Sequence, residues 1–231
     1  GQFANAMRRG VRMAYIVENN GVYGLTKGQF SATADRGSKS KKGVINSDSP
    51  VDLVGLALQL GATYVARSFS GDKAQLVPLI KGAMSHGGAA FIDVISPCVT
   101  FNNHGGSTKS YDYVRQHNEA VSRIDFMDMH SEITTQYAPG EVVEVQQHDG
   151  SMLRLRKLHP DYDPTDRYKS MSYMQEHQAR GEVVTGLLYV DPLATDLHIA
   201  LNTTSKPLNM LGTEQLCPGA KALEKINAAL R

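Results

Sequence analysis

The sequence predicts an α/β protein built on a parallel sheet flanked by helices, and three observations carry that expectation. The runs Val11-Arg12-Met13-Ala14-Tyr15-Ile16-Val17 and Ala89-Ala90-Phe91-Ile92-Asp93-Val94-Ile95 are almost continuously apolar. Such runs, lying between helical segments, read as strands buried on both faces, as parallel sheets require. The third observation is a polar, glycine-rich run, residues 18–29, which begins where the first strand would end. In open α/β sheets ligands bind in the crevice beyond the carboxyl ends of the strands.

Taken in order, residues 2–9 read as a short helix and 11–17 as the first strand. A long polar connection follows the glycine-rich run and contains Asp35-Arg36-Gly37-Ser38-Lys39-Ser40-Lys41-Lys42-Gly43. Pro50 opens an apolar helix over 51–60 that stops at Gly61, with proline at the start and glycine past the end. A strand over 63–68 comes next, then a helix over 72–85 with Ser70 or Asp72 as its N-cap. His86-Gly87-Gly88 ends that helix and leads to the strand over 89–95.

Past Phe101 the character changes. Residues 111–124 are expected to be helical. Residues 140–157 alternate apolar and polar around Asp149-Gly150, as a β-hairpin does. His159-Pro160-Asp161-Tyr162-Asp163-Pro164 interrupts the chain, 167–178 read as a helix and 183–190 as a strand. A tail punctuated by Pro and Gly ends in a helix over 220–230. The expected organisation is an α/β domain over 1–101 and a C-terminal α+β extension over 102–231, packed on that domain or at a subunit interface.

Composition narrows the function classes. The 231 residues are enough for a sizeable core, and the formal net charge of +1 argues against nucleic acid as the main partner. No apolar run approaches the roughly 20 residues that span a bilayer. The two cysteines, Cys98 and Cys217, offer no disulfide framework and fit a reducing cytoplasm. His104, His117, His130, His148, His159, His177 and His198 are scattered and form no metal motif, reading as surface or hydrogen-bonded histidines. The Arg36, Lys39, Lys41 and Lys42 group is a solvated loop, or a surface that steers an acidic partner.

The chemistry concentrates in the glycine-rich run. Glycines let backbone approach a phosphate closely, while Asn side-chain and main-chain carbonyl oxygens suit a hard cation such as Mg²⁺. The residues alone allow two readings, a Mg-diphosphate site or an ordinary turn with Asn-Gly at its apex. Cys98, alone after a buried strand, reads by itself as an inert core thiol. Cys217 lies outside any motif and reads as a free thiol.

A resemblance sharpens these readings. The run Asn20-Gly21-Val22-Tyr23-Gly24-Leu25-Thr26-Lys27-Gly28-Gln29 is similar to the closing half of the thiamine-diphosphate motif in the β subunits of 2-oxoacid:ferredoxin oxidoreductases. The similarity continues through Tyr64-Val65-Ala66-Arg67-Ser68-Phe69-Ser70-Gly71-Asp72 and Ile95-Ser96-Pro97-Cys98-Val99-Thr100-Phe101-Asn102. It extends to Ser107-Thr108-Lys109-Ser110-Tyr111-Asp112-Tyr113 and fades towards the C-terminus. The family's opening Gly-Asp-Gly and its Cys-x-x-Cys pair are not in this sequence, so the chain is expected to be part of a longer subunit.

The resemblance implies a thiamine-diphosphate-binding fold and a set of roles. Asn20 would supply a side-chain oxygen to Mg²⁺ and Val22 its backbone carbonyl, with Asn19 the alternative to Asn20. Tyr23, Gly24, Leu25 and Thr26 would wrap the cofactor's diphosphate. Lys27 would hold the substrate carboxylate, and Gln29 would add a hydrogen bond. Cys98 would be one thiolate of a [4Fe–4S] cluster. The implied reaction is oxidative decarboxylation of a 2-oxoacid, 2-oxoglutarate first among them, to acyl-coenzyme A and CO₂, with electrons leaving through the cluster to ferredoxin. An α subunit would complete a heterodimer or heterotetramer. The alternatives are an enzyme using pyruvate or a broad range of 2-oxoacids, and a binding subunit or fragment without cofactor.

Overall fold

The computed structural model describes residues 1–24, 28–38, 40, 42–96, 133–146, 152–217 and 219–230. The expected helix over 111–124, the turn at Asp149-Gly150, and Leu25, Thr26, Lys27, Lys39, Lys41 and Cys98 lie outside the described residues.

The chain opens with helix α1 (Gln2–Arg8), which buries Met7, and strand β1 (Met13–Asn19). The strand starts and ends two residues later than the sequence pattern indicates. Its last residues, Glu18 and Asn19, pair with Val94 and Ile95, so polar side chains continue the strand wherever a neighbour completes the ladder. A two-residue ladder that the pattern does not announce follows, β2 (Val22–Tyr23) antiparallel to β3 (Gln29–Phe30). The described residues beyond Asn19 thus form a small antiparallel ladder past the carboxyl end of β1.

Helix α2 (Leu53–Gln59) is capped by Asp52, whose carboxylate accepts from the Val54 N–H at 3.2 Å. Pro50 and Val51 precede the helix, and Gly61 follows it at φ +91. Strand β4 (Tyr64–Phe69) leads to helix α3 (Lys73–Ser85), where Asp72 takes the N-cap place and accepts from the Gln75 N–H at 3.1 Å. Strand β5 (Ala89–Ile95) matches its expected bounds. The hairpin strands are β6 (Val142–Gln146) and β7 (Met152–Lys157), followed by helix α4 (Arg167–Ala179) and strand β8 (Val183–Val190).

All of the long strands join one six-stranded sheet in the order β1-β5-β4-β8-β7-β6. The first three are mutually parallel, β8 enters antiparallel to β4, and β7 lies parallel to β8 and antiparallel to β6. The sheet is thus mostly parallel rather than wholly so, because the strands from the later half of the chain extend it beyond β4. Strands β4 and β5 are buried along nearly their whole length, as the two-face reading requires. In β1 burial alternates instead, since it lies at the sheet's margin.

Two apolar cores hold the sheet. On one face Val65, Phe91, Leu188 and Val184 meet Val54 and Leu58 of α2, Met7 of α1 and Met174 of α4. On the other, Ala66, Ala90, Ile92 and Val94 meet Leu79 and Ala83 of α3. Fully burying one such Leu, Phe or Val side chain contributes roughly 1.5–3 kcal/mol. Residues 1–197 form one compact unit and 198–231 a second. The second contains a 3₁₀ turn (Leu208–Met210), a one-turn helix (Thr213–Leu216) and a longer helix, α5 (Gly219–Ala229). Among the described residues no helix is long and apolar enough to cross a membrane.

Candidate functional site

The face of the sheet that carries α2 changes character along its strands. Tyr15 and Val17 of β1, Phe91 of β5 and Val65 of β4 are apolar and pack in the core. Two residues nearer the carboxyl ends, the same face presents Asn19, Asp93 and Arg67. Side chains two apart on a strand share a face, so the three strands place one polar row at one edge of the core.

That row is a continuous hydrogen-bonded chain. Arg67 Nε donates to Asp93 Oδ2 and its Nη2 donates to Asp52 Oδ1, each at 2.8 Å. Asn19 Nδ2 donates to the other Asp93 oxygen at 3.1 Å, and Thr33 Oγ1 donates to Asn19 Oδ1 at 2.7 Å. Thr33 Oγ1 also lies 2.9 Å from Ser31 Oγ. The Asp93 side chain is 1 % exposed and that of Arg67 14 %, so these are desolvated charges. Burial works against the Arg67 charge, but Asp93 and Asp52 outweigh it and hold the guanidinium above its ordinary pKa. A cavity of about 130 Å³ opens before the row, bordered by Asn19, Thr33, Asp52, Arg67, Asp93 and Gln178.

Directly beyond Asn19 comes the predicted metal turn. Asn20 is exposed, and its Oδ1 accepts from the Val22 N–H at 3.1 Å, an Asx turn that places the side-chain oxygen beside the Val22 main chain. Gly21 stands between them at φ +70, a conformation that favours glycine. The hairpin is closed by Gly28 N–H to Tyr23 O at 3.1 Å and Ser31 N–H to Gly21 O at 3.1 Å. Asn20 Oδ1 and the Val22 carbonyl are hard, uncharged oxygens on one turn, a donor set that fits Mg²⁺. Tyr23 is exposed, and Gly24 follows it directly after β2. Among the described residues no group of three or more His, Cys, Asp or Glu side chains is placed to hold a metal.

Sequence reasoning missed Arg67, Asp93, Asp52 and Thr33. A signal was present, since Asp93 is the lone charge in Ala89-Ala90-Phe91-Ile92-Asp93-Val94-Ile95 and Arg67 the lone charge in Tyr64-Val65-Ala66-Arg67-Ser68-Phe69. A single charge in a strand buried on both faces needs a partner.

Two further polar clusters are present, and Glu182 of the second also borders the cavity. Lys157 Nζ sits 2.7 Å from Asp72 Oδ2 and 4.4 Å above the Tyr137 ring, whose hydroxyl meets Thr185 Oγ1 at 2.7 Å. Burial pushes the Tyr137 phenol up to about 12, with the Thr185 hydrogen bond opposing. In the other cluster Glu182 takes both forks of Arg156 and the Nδ1 of buried His177 at 2.7 Å. The described members of the basic loop, Arg36 and Lys42, are exposed. Cys217 is a free, exposed thiol.

The fold is a mostly parallel sheet with a hard-oxygen turn beyond the carboxyl end of β1. Residues 1–94 match the C-terminal TPP binding domain of thiamine pyrophosphate enzymes. The chain is also similar to 2-oxoacid:ferredoxin oxidoreductase β subunits. It is 48 % identical over 106 residues to the one from Saccharolobus solfataricus, covering 45 % of this chain and 34 % of that protein. It is 37 % identical over 100 residues to the 2-oxoglutarate oxidoreductase subunit KorB of Mycobacterium tuberculosis, covering 43 % and 27 % respectively. The matched stretch thus spans only about a third of the first relative's length and about a quarter of the second's. Among solved structures, the 2-oxoglutarate:ferredoxin oxidoreductase of Magnetococcus marinus, with 2-oxoglutarate, coenzyme A and succinyl-CoA bound, superposes with a TM-score of 0.59 at 26 % identity. That superposition covers 90 % of this chain and 60 % of the other.

Proposed function

We infer that this chain is the part of a 2-oxoacid:ferredoxin oxidoreductase β subunit that carries the closing half of a thiamine-diphosphate site. It acts with an α subunit in a heterodimer or heterotetramer. The observation that carries the reading is the position of the Asn20–Val22 turn, at the carboxyl end of a strand inside the matched thiamine-pyrophosphate domain. The reaction is oxidative decarboxylation of a 2-oxoacid to an acyl-coenzyme A and CO₂, with ferredoxin as electron acceptor. 2-Oxoglutarate is the preferred substrate in this reading, supported by the relatives named for it.

Bound thiamine diphosphate supplies the electron sink for loss of CO₂, and a [4Fe–4S] cluster supplies the one-electron relay. The chain's own residues position and neutralise. Asn20 Oδ1 and the Val22 carbonyl hold Mg²⁺, giving up the Asx hydrogen bond if the side chain turns outward. Tyr23, Gly24, Leu25 and Thr26 offer main-chain and hydroxyl donors to the diphosphate, an arrangement that binds anions without a formal charge. Lys27 pairs with the substrate carboxylate, and Cys98 gives one thiolate to the cluster. These steps belong to a site on a soluble cytoplasmic enzyme, with coenzyme A as co-substrate.

The test is anaerobic, coenzyme A-dependent viologen reduction by the natively purified complex, comparing 2-oxoglutarate with pyruvate. Faster reduction with 2-oxoglutarate is expected. Reduction with pyruvate alone would keep the reaction and replace the substrate. No reduction with either, from protein replete in cluster, would make the chain a binding subunit.

A further inference from the structure

We propose that Arg67, Asp93, Asn19 and Thr33 are positioning residues for the metal-bearing turn, clamping both legs of the hairpin on which Asn20 and Val22 stand. The inference rests on the reading of Asn20 and Val22 as Mg²⁺ donors and names what holds them in place.

The clamp centres on the Asn19 side chain. Its Nδ2 faces Asp93 Oδ1 at 3.1 Å, and its Oδ1 receives the Thr33 hydroxyl at 2.7 Å. An ionised carboxylate only accepts, so the amide has one workable orientation, and turning it over would set carbonyl against carboxylate. The main chain is held as well, since the Asn19 carbonyl accepts from the Ser96 N–H at 3.0 Å. Asn19 is thus anchored at both ends of its side chain and at its backbone, and Asn20 is the next residue.

The two anchors come from opposite sides. Asp93 belongs to an interior strand of the sheet, is 1 % exposed and is paired with Arg67 at 2.8 Å. Arg67 in turn is tied to Asp52 at the N-terminus of α2. Thr33 lies past β3, on the returning leg of the hairpin, and its hydroxyl brings that leg back to the end of β1. The 2.9 Å contact with Ser31 and the Ser31 N–H to Gly21 O bond connect the returning leg to the turn itself. Sheet, helix and both hairpin legs therefore meet through one asparagine.

Such a clamp has a specific chemical consequence. Mg²⁺ demands near-octahedral geometry at short distances, whereas Ca²⁺ accepts variable geometry and longer bonds. A turn held rigidly by its surroundings favours Mg²⁺, and a turn set loose loses that preference before it loses the ability to bind cations. Groups standing behind metal ligands typically change metal affinity about 10–100-fold when removed.

The experiment uses the complete complex, stripped of cofactor with a chelator. Thiamine diphosphate binding is followed by calorimetry while Mg²⁺, and separately Ca²⁺, is titrated. For Asn19→Ala the Mg²⁺ half-saturation is expected to rise roughly 10–100-fold, with a smaller change for Ca²⁺, so that the preference between the two narrows. Wild-type half-saturation and wild-type preference in that variant would overturn the clamp. Should Asn19→Ala fail to assemble, Thr33→Val keeps the shape and removes only the hydroxyl. It is expected to shift both quantities in the same direction by less, and wild-type values there would overturn the clamp equally. A wild-type complex that binds no thiamine diphosphate with either cation would instead defeat the reading of Asn20 and Val22 as metal donors.

Discussion

Asp93 has almost no contact with water, and its carboxylate is met by two neighbours, the Arg67 guanidinium and the Asn19 amide. Removing one partner of such a buried pair typically costs 3–5 kcal/mol, because the remaining charge is stranded, while replacing both by apolar groups is often close to neutral. Arg67→Ala should therefore lower stability by about 3–5 kcal/mol, read as a fall in the urea midpoint. The double variant Arg67→Met with Asp93→Leu should recover most of that loss. If it proves no more stable than Arg67→Ala, the stranded charge is not the cause. The signal for this pair stood in the sequence as one charge in each of two apolar strands. Its pairing did not, since Arg67 and Asp93 are 26 positions apart and Asn19 and Asp93 are 74 apart.

At the level of elements, Glu182 joins three of them. It lies between the end of α4 and the start of β8, takes Arg156 from β7, and accepts from the His177 Nδ1–H on α4. The Arg156 hydrogen bonds, aided by His177 and opposed by burial, hold its carboxyl at about 2, against an ordinary value of 4.5. A carboxyl lowered on folding adds stability that is fully present above its unfolded pKa and lost as pH falls through the folded one. That loss should run from about pH 4.5 down to about pH 2. In Glu182→Gln the acid limb of the stability curve should be flatter over this window, measured by urea unfolding at successive pH values. An unchanged slope would assign the acid sensitivity to other groups. The elements joined here were themselves legible, since α4 and β8 appear within a residue of the positions their patterns indicate. The joint was not, because Arg156, His177 and Glu182 carry no local motif.

For the molecule as a whole, protection should follow the sheet. Strand β5 is hydrogen-bonded on both sides, to β1 and β4, and six of its seven residues are buried. Helix α5 in the unit 198–231 buries none of its described residues. Core strands open only with free energies near that of global unfolding, whereas poorly packed helices fray far more readily. Native-state hydrogen exchange should therefore be slowest in β5 and β4 and fast throughout α5. Equal protection in α5 would mean that this helix is buried against a partner surface in solution.

The alternation of helix and strand up to Ile95, an N-cap at Ser70 or Asp72 and the turn at Asn20-Gly21 were decided by the sequence itself. Each rests on a local cause: side-chain periodicity, a carboxylate reaching its own helix's N–H groups, or a residue free to adopt positive φ. The mixed direction of the sheet and the insertion of β8 beside β4 were decided by tertiary structure, as was the polar row of Asn19, Asp93 and Arg67. Those depend on which strands become neighbours and in which register. A chain's local pattern does not state that choice, because backbone hydrogen bonding between strands is the same whatever side chains they carry.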